Sequence, residues 1–186
     1  ISASLVIKML EVAGITKIIT LDLHSRQLEG MFNVPITNFS TESIFFPALE
    51  NKQNVLIVSP DIGGIARARN YSSLFGTDLA IVNKSRGANN ECFMSEIIGD
   101  VNRKNCVIVD DIVDGASTLC MATELLLKNG AKNVSAIVTH AVLSGDAINK
   151  IENSMLENIY ISDSIYHDKL PEKFTVMPIH ELIARG

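Results

Sequence analysis

Short apolar runs rich in valine and isoleucine alternate along the chain with segments of helical periodicity. Several of these runs are apolar on both faces, which is typical of strands in a parallel sheet that helices cover on both sides. The predicted strands lie at residues 17–23, 54–58, 79–83, 106–109, 134–139, 158–162 and 174–177. The predicted helices lie at residues 1–13, 64–75, 117–129, 144–152 and 179–184. The pattern therefore predicts an α/β fold.

The length and the composition limit the class of protein. The 186 residues suggest one domain, or one domain with part of a second. Hydrophobic residues make up 47% of the chain, which is enough for a packed core. The formal net charge of -5 argues against nucleic acid as the main partner, because binding to a phosphate backbone needs a basic face. A small phosphorylated ligand needs only local positive charge and backbone N–H groups, so it stays possible in principle.

The cysteines and the apolar segments bear on the compartment. Cys92, Cys106 and Cys120 lack the spacing of a disulfide framework or a zinc site, so we expect the cytoplasm. No apolar run reaches the roughly 20 residues that cross a membrane, and we expect no membrane contact. The apolar start lacks the charged region and cleavage site of a signal peptide. Because the sequence begins without methionine, we expect a fragment.

The strongest chemical signal is the stretch CVIVDDIVDGAST at residues 106–118. An apolar strand leads into two acids, and a loop of small residues leads into a helix. The acids are Asp110 and Asp111, and the loop is Asp114, Gly115, Ala116, Ser117 and Thr118. Backbone N–H groups of such a loop and the helix N-terminus can bind a phosphate, whereas the acids suit sugar hydroxyls, directly or through Mg²⁺. The plainer alternative is a turn in which Asp114 or Ser117 only caps the helix.

This stretch resembles the phosphoribosyl pyrophosphate signature of type I phosphoribosyltransferases. Other stretches resemble motifs of ribose-phosphate pyrophosphokinases, namely ISASLVIKML, ITLDLHSRQLEGMFNVP, VLIVSPDIGGIARAR, DLAIVNKSR, EIIGDV and VTHAVLSGDA. Together they run in order from residue 1 to residue 163. The resemblance implies a phosphoribosyltransferase-like parallel sheet with helices on both faces and a remnant of a second similar domain. Residues 1–40 would end the N-terminal domain, and residues 41–186 would form the C-terminal domain.

The resemblance also implies an activity. Ribose-phosphate pyrophosphokinases transfer pyrophosphate from Mg²⁺–ATP to the C1 hydroxyl of ribose 5-phosphate, which gives phosphoribosyl pyrophosphate and AMP. By this resemblance Asp110 and Asp111 would hold the ribose hydroxyls, and residues 114–118 would hold the 5-phosphate. ATP and ribose 5-phosphate are the implied substrates and Mg²⁺ the implied metal. The implied assembly is a homo-oligomer built from dimers, with a hexamer as the larger form.

Four further residues receive roles by the same resemblance. Lys84 and Arg86 match two basic residues that neutralise charge during transfer, so they are the expected catalytic pair. His24 and Asp61 match residues on the metal–ATP side. Taken alone, Lys84 and Arg86 would be solvated loop charges and His24 a loop histidine. Asp61 would be a turn residue or a helix cap.

The chain departs from the family pattern in its loops and in its length. Ser117 stands where glycine is usual and would crowd the approach of a phosphate, although we expect Gly115 to restore freedom. Ser85 and Gly87 replace a usual arginine and proline, which lowers the local positive charge. The early ATP-contacting part of the family is absent. Two alternatives therefore stay open: a type I phosphoribosyltransferase, and a non-catalytic fragment or regulatory subunit that binds phosphoribosyl ligands.

Two apolar stretches predict contacts with another domain or subunit. The helix at residues 1–13 belongs to a domain whose remainder is absent, so its apolar face would lack a core. Residues 30–47 add four phenylalanines near the expected domain junction. The mean hydropathy of +0.23 is high for a domain of this size. We therefore expect the isolated chain to self-associate.

Overall fold

The computed structural model describes residues 2–49, 52–86 and 92–184, and within them helices and strands alternate as the sequence predicts. The described α-helices are α1 (Ser2–Val12), α2 (Glu42–Leu49), α3 (Ile65–Phe75), α4 (Ser117–Lys128), α5 (Ala147–Asn153) and α6 (His180–Ile183). The described strands are β1 (Ile18–Leu21), β2 (Ile36–Phe39), β3 (Val55–Ser59), β4 (Leu79–Arg86), β5 (Cys92–Ile98), β6 (Asn105–Val113), β7 (Asn133–Ala141), β8 (Ile159–Ser162) and β9 (Phe174–Met177). A 3₁₀ helix, Arg26–Met31, lies between β1 and β2. None of the described helices is long and apolar enough to cross a membrane.

The nine described strands form two sheets. β1 and β2 pair in parallel by themselves, and the other seven strands follow the order β5-β4-β3-β6-β7-β8-β9. Only β5, at one edge of the larger sheet, runs antiparallel to its neighbour. From β3 the chain adds β4 on one side of the sheet, and it later returns to the other side of β3 as β6. The order in which strands are added to the sheet therefore reverses between β3 and β6. In open α/β sheets, ligands bind outside the carboxyl ends of the strands at such a reversal.

The core lies on both faces of the larger sheet. On one face, Leu119 and Leu126 of α4 and Ile151 of α5 pack against the strands. On the other face, Phe45 of α2 and Tyr71 of α3 do the same. The predicted fold, a mostly parallel sheet with helices on both faces, is therefore confirmed. Burial on both faces also explains why the strands read as nearly continuous apolar runs.

The structure also contains elements that the sequence pattern did not predict. These are the 3₁₀ helix, β2, α2 and the antiparallel strand β5. Phe45 is completely buried between α2 and the larger sheet, so the expectation that residues 30–47 face another domain or subunit is wrong for this side chain. α5 begins at Ala147 and not at Ser144. The division into residues 1–40 and 41–186 stays a prediction.

The first helix exposes most of its apolar side chains. Of α1, only Ile7 is buried, whereas Leu5, Val6, Met9 and Val12 are more than half exposed. The helix contacts the 3₁₀ segment, and Glu11 accepts hydrogen bonds from Asn33. This agrees with the sequence expectation that the apolar face of this helix lacks a core within the chain.

Candidate functional site

The loop between β6 and α4 is shaped by its backbone. Ala116 has a φ of 61°, in the left-handed region that glycine favours, and Ser117 is the first residue of α4. Gly115 is not among the glycines of positive φ, so the expectation that Gly115 supplies the freedom of this loop is wrong. Ala116 makes the turn from strand to helix, and α4 has no side-chain capping hydrogen bond at its N-terminus. Uncapped N–H groups in the first turn of a helix are suited to bind an anion.

A pocket of about 310 Å³ opens beside this loop. The residues that line the pocket are Asp110, Ile112, Val113, Asp114, Gly115, Ala116, Ser117, Thr118, Leu119 and Val138. This volume lies at the lower end of the range of roughly 300–1,000 Å³ that small-molecule sites occupy. The structure therefore brings all five predicted loop residues together with one of the two predicted acids. The loop residues line the pocket from the start of α4, and Asp110 lines it from β6.

Asp110 and Asp111 follow each other in β6, and the Asp110 side chain is the more exposed of the two. Of the two acids, only Asp110 lines the pocket. Asp111 is nearly buried and lies on the side of α3, where its Oδ2 is 2.6 Å from His24 Nδ1 and 3.3 Å from Arg67 Nη2. The ribose role predicted for both acids is better supported by this geometry for Asp110.

Arg67 of α3 is the positive charge at the centre of three carboxyl groups. Its Nε lies 3.3 Å from both carboxylate oxygens of Asp22, and its Nη1 lies 3.9 Å from Asp110 Oδ1. The third group is Asp111, and the Arg67 side chain is only 15% exposed. One guanidinium cannot neutralise three carboxylates. The site is therefore short of positive charge before His24 is counted, which favours a bound cation or a retained proton.

The pKa values of the two β6 acids are shifted in opposite directions. Burial, and then the neighbouring Asp111, raises the pKa of Asp110 to about 7. Burial acts in the same direction on Asp111, but its hydrogen bond with Asp110, the Arg67 charge and the contact with His24 outweigh it and lower the pKa of Asp111. At neutral pH, Asp111 is therefore ionised. The partly protonated Asp110 can both donate and accept hydrogen bonds, as sugar hydroxyls require.

Asp22 and Arg67 are not among the site residues that the sequence predicted. Asp22 follows β1 with a φ of 44°, and its Oδ2 accepts a hydrogen bond from Thr139 Oγ1 at 2.6 Å. Because Thr139 belongs to β7, this bond ties the end of the small sheet to the larger one. The available signal for Asp22 was an acid at the end of an apolar strand, two residues before His24 in the D-L-H motif. No local signal marks Arg67, because its partners come from two distant segments, the end of β1 and the strand β6.

His24 and Asp61, the predicted residues of the metal side, lie in different connecting segments. The side chain of His24 is 78% exposed and lines a second cavity of about 500 Å³, together with Asp22 and Arg67. Asp61 Oδ1 accepts a hydrogen bond from the Gly64 N–H at 3.0 Å, just before α3. In the described ranges, no three His, Cys, Asp or Glu side chains form a group that could hold a metal ion. The metal roles stay predictions.

Lys84 and Arg86 belong to a strand and not to a loop. β4 continues through Arg86 because it pairs with the antiparallel strand β5, where Lys84 lies opposite Met94 and Arg86 opposite Cys92. The expectation of a loop from residue 84 onward is therefore wrong for residues 84–86. The side chains of Lys84 and Arg86, and residues 87–91, lie outside the described part of the chain.

Similar sequences point to one enzyme family. Residues 88–185 match the family model of the phosphoribosyl synthetase-associated domain. The chain is 45% identical over its whole length to a ribose-phosphate pyrophosphokinase of Thermosipho africanus and 40% identical to one of Thermotoga maritima. It covers 60% of the former protein and 61% of the latter, so it spans about 60% of the length of these relatives.

Similar structures agree with the sequences. The crystal structure of phosphoribosylpyrophosphate synthetase from Mycobacterium smegmatis matches with a TM-score of 0.90 at 30% identity, over 99% of this chain and 61% of that one. The adenine phosphoribosyltransferase of Giardia lamblia matches with a TM-score of 0.57 at 12% identity, over 65% of this chain and 75% of that one. The second match shows a shared fold alone.

Proposed function

Because the chain belongs to the phosphoribosyl synthetase-associated domain family, we propose that it is the ribose 5-phosphate-binding part of a ribose-phosphate pyrophosphokinase. The whole enzyme transfers pyrophosphate from ATP to ribose 5-phosphate and supplies phosphoribosyl pyrophosphate for nucleotide biosynthesis. Its working form is a homo-oligomer in the cytoplasm. The names of the relatives support the activity, and the pocket beside α4 supports the binding role.

One observation carries the proposal: the uncapped N-terminus of α4 lies at a pocket that the acid Asp110 lines from β6. The first N–H groups of α4, with the hydroxyls of Ser117 and Thr118, bind the 5-phosphate. Asp110 bonds the ribose hydroxyls from the β6 side. The Asp114 side chain accepts a hydrogen bond from Ser144, so it holds the loop, and the contribution of Asp114 to phosphate binding comes from its backbone.

Binding in this pocket prepares the sugar for transfer. With the 5-phosphate fixed at α4 and the hydroxyls fixed at Asp110, the C1 hydroxyl has one orientation and can attack the β-phosphorus of ATP in line. Such transfer depends mainly on positioning and on cations that stabilise the developing charge. Lys84 and Arg86 are the cations that we assign to this charge, and no covalent intermediate on the protein is needed.

The residues present also fit Mg²⁺. His24 and Asp61 are the residues that we assign to the metal–ATP side, and Asp111, ionised and next to His24, adds negative charge there. Mg²⁺ is usually held by one or two carboxylates with waters and substrate phosphates, so a closed set of protein ligands is not required. When bound, the ion neutralises the ATP phosphates. The surplus of carboxylates around Arg67 is the observation that supports a cation in this region.

The catalytic role of the β4 cations is testable in a full-length version of the protein. We expect Lys84→Ala and Arg86→Ala to lower kcat by about 10²–10³-fold with little change in KM, because these charges act on the transition state. Lys128→Gln, at the far end of α4, is the matched loss of one positive charge and should change neither constant. AMP formation from ATP and ribose 5-phosphate is the readout. Loss of substrate affinity with an unchanged kcat would make the two residues a binding clamp.

A further inference from the structure

Lys150 of α5 contacts the pocket loop from a segment that lies far along the chain. Its Nζ is 3.3 Å from the Gly115 carbonyl oxygen and 3.3 Å from Ser117 Oγ. We propose that Lys150 is a further binding residue for the phosphate group of the sugar phosphate, an inference that rests on the proposed function. Nothing in the sequence pattern indicates this role, because Lys150 is an exposed residue in the middle of a short helix.

The charge of Lys150 is available to a ligand. The ion pairs among the described residues join His24 or Arg67 to aspartates, and none of them includes Lys150. An ammonium group has three N–H donors, and the two oxygens that Lys150 contacts are neutral. At least one donor and the whole positive charge therefore stay free to act on an anion in the loop.

Lys150 also prepares the loop atoms that an anion would meet. The Gly115 carbonyl oxygen would repel a phosphate, and the bond from Lys150 offsets its partial negative charge. Because Ser117 Oγ accepts a hydrogen bond from Lys150, the Ser117 hydroxyl hydrogen is free to donate to another acceptor. A single lysine thus removes one unfavourable contact and orients one favourable donor.

The distances bring the ammonium within reach of a bound phosphate. An oxygen that accepts from the Ser117 hydroxyl at about 2.7 Å would lie within about 6 Å of Lys150 Nζ. This is shorter than the Debye length of about 8 Å at physiological ionic strength, so the attraction is only partly screened. Ser144, which lies just before α5, donates a hydrogen bond to Asp114 of the same loop. This second contact keeps α5, and with it Lys150, close to the loop.

Calorimetric titration of ribose 5-phosphate into the chain and its variants tests the proposal. We expect Lys150→Ala to weaken binding by about fivefold, the upper size of a single exposed charge interaction. Lys150→Arg should restore most of the affinity, because it returns the charge. Lys132→Ala removes the same charge beyond the other end of α4 and should leave the affinity unchanged. Raising the salt concentration should reduce the difference in ribose 5-phosphate affinity between the parent chain and Lys150→Ala.

The outcomes separate this inference from the proposed function. If the parent chain binds ribose 5-phosphate and Lys150→Ala binds it equally well, the role of Lys150 is wrong and the pocket assignment survives. If Lys150→Arg is as weak as Lys150→Ala, the lysine acts by packing and not by charge, which also overturns the inference. If the parent chain shows no binding, the proposed function fails and the inference fails with it. Equal melting temperatures of the variants exclude a loss of folding as the cause.

Discussion

At the scale of single residues, the site is organised by Arg67. This side chain faces Asp22 after β1 and both acids of β6, so it joins the two sheets where a ligand would bind. Removing one partner of a largely buried ionic cluster is strongly destabilising, because it leaves uncompensated charge behind. The same cluster stays short of positive charge, which makes it a natural neighbour for a cation.

The position of Arg67 leads to a prediction about stability. Arg67→Met keeps most of the side-chain volume and should lower the free energy of unfolding by about 3 kcal/mol, since three carboxyl groups lose their cation. Arg69→Met, an exposed change on the same helix, should lower it by less than about 0.5 kcal/mol. Urea denaturation of both variants measures the difference. Equal losses would show that Arg67 does not organise the cluster.

Ala116 provides a second residue-scale prediction. A left-handed φ is unfavourable for a residue with a Cβ atom and natural for glycine. Ala116→Gly should therefore raise the free energy of unfolding by about 0.5 kcal/mol, after the greater flexibility of glycine in the unfolded chain is subtracted. Ala122→Gly, in the interior of α4, should lower the same quantity by about 1 kcal/mol. A destabilised Ala116→Gly variant would contradict the backbone account of the loop.

The site residues differ in how far the sequence could predict them. The acids of β6 and the loop 114–118 were predictable, because a strand, small residues and a helix follow each other directly. Which of the two acids lines the pocket was not predictable, since the motif does not show that β6 continues through Val113 or how the strand is placed against its neighbours. Asp22 and Lys150 depend on contacts between segments that only the folded chain brings together.

At the scale of elements, α2 shows where sequence patterns mislead. Its sequence, ESIFFPAL, contains Pro47 within the helix and two adjacent phenylalanines, features that favour a junction over a regular helix. In the structure Phe45 fills the core beneath α3, and Phe46 stacks on Phe75 at 5.1 Å between ring centroids. The parallel strands were easier to predict, because burial on both faces gives a signal that needs no knowledge of the neighbours.

The buried position of Phe45 gives the element-scale prediction. Phe45→Ala should lower the free energy of unfolding by about 3–5 kcal/mol, as expected for a fully buried phenylalanine. Phe32→Ala makes the same chemical change at a partly exposed position in the connection from β1 to β2. It should lower the free energy of unfolding by a clearly smaller amount. Chemical denaturation monitored by circular dichroism compares the two. A small loss for Phe45→Ala would mean that α2 does not belong to the core.

At the scale of the whole molecule, α1 stands out because most of its apolar side chains are exposed. Its exposed apolar residues include Leu5 and Met9, and contiguous apolar surface of this kind favours association. We expect the chain to self-associate at micromolar concentration. The double variant Leu5→Gln and Met9→Gln should shift it toward the monomer. Light scattering decides the point, and a parent chain that is a 20.3 kDa monomer would contradict the prediction.

The central claim is that the loop at the start of α4, with Asp110, binds ribose 5-phosphate, and a calorimetric titration of that sugar phosphate tests it most directly. The account predicts saturable binding by the parent chain, strong weakening in Asp110→Asn, and loss of binding in Ser117→Trp, which fills the loop. Ser73→Trp, an exposed position of α3 outside the pocket, should bind like the parent. Equal binding by the parent and Ser117→Trp, or no binding by a folded parent chain, would contradict the claim.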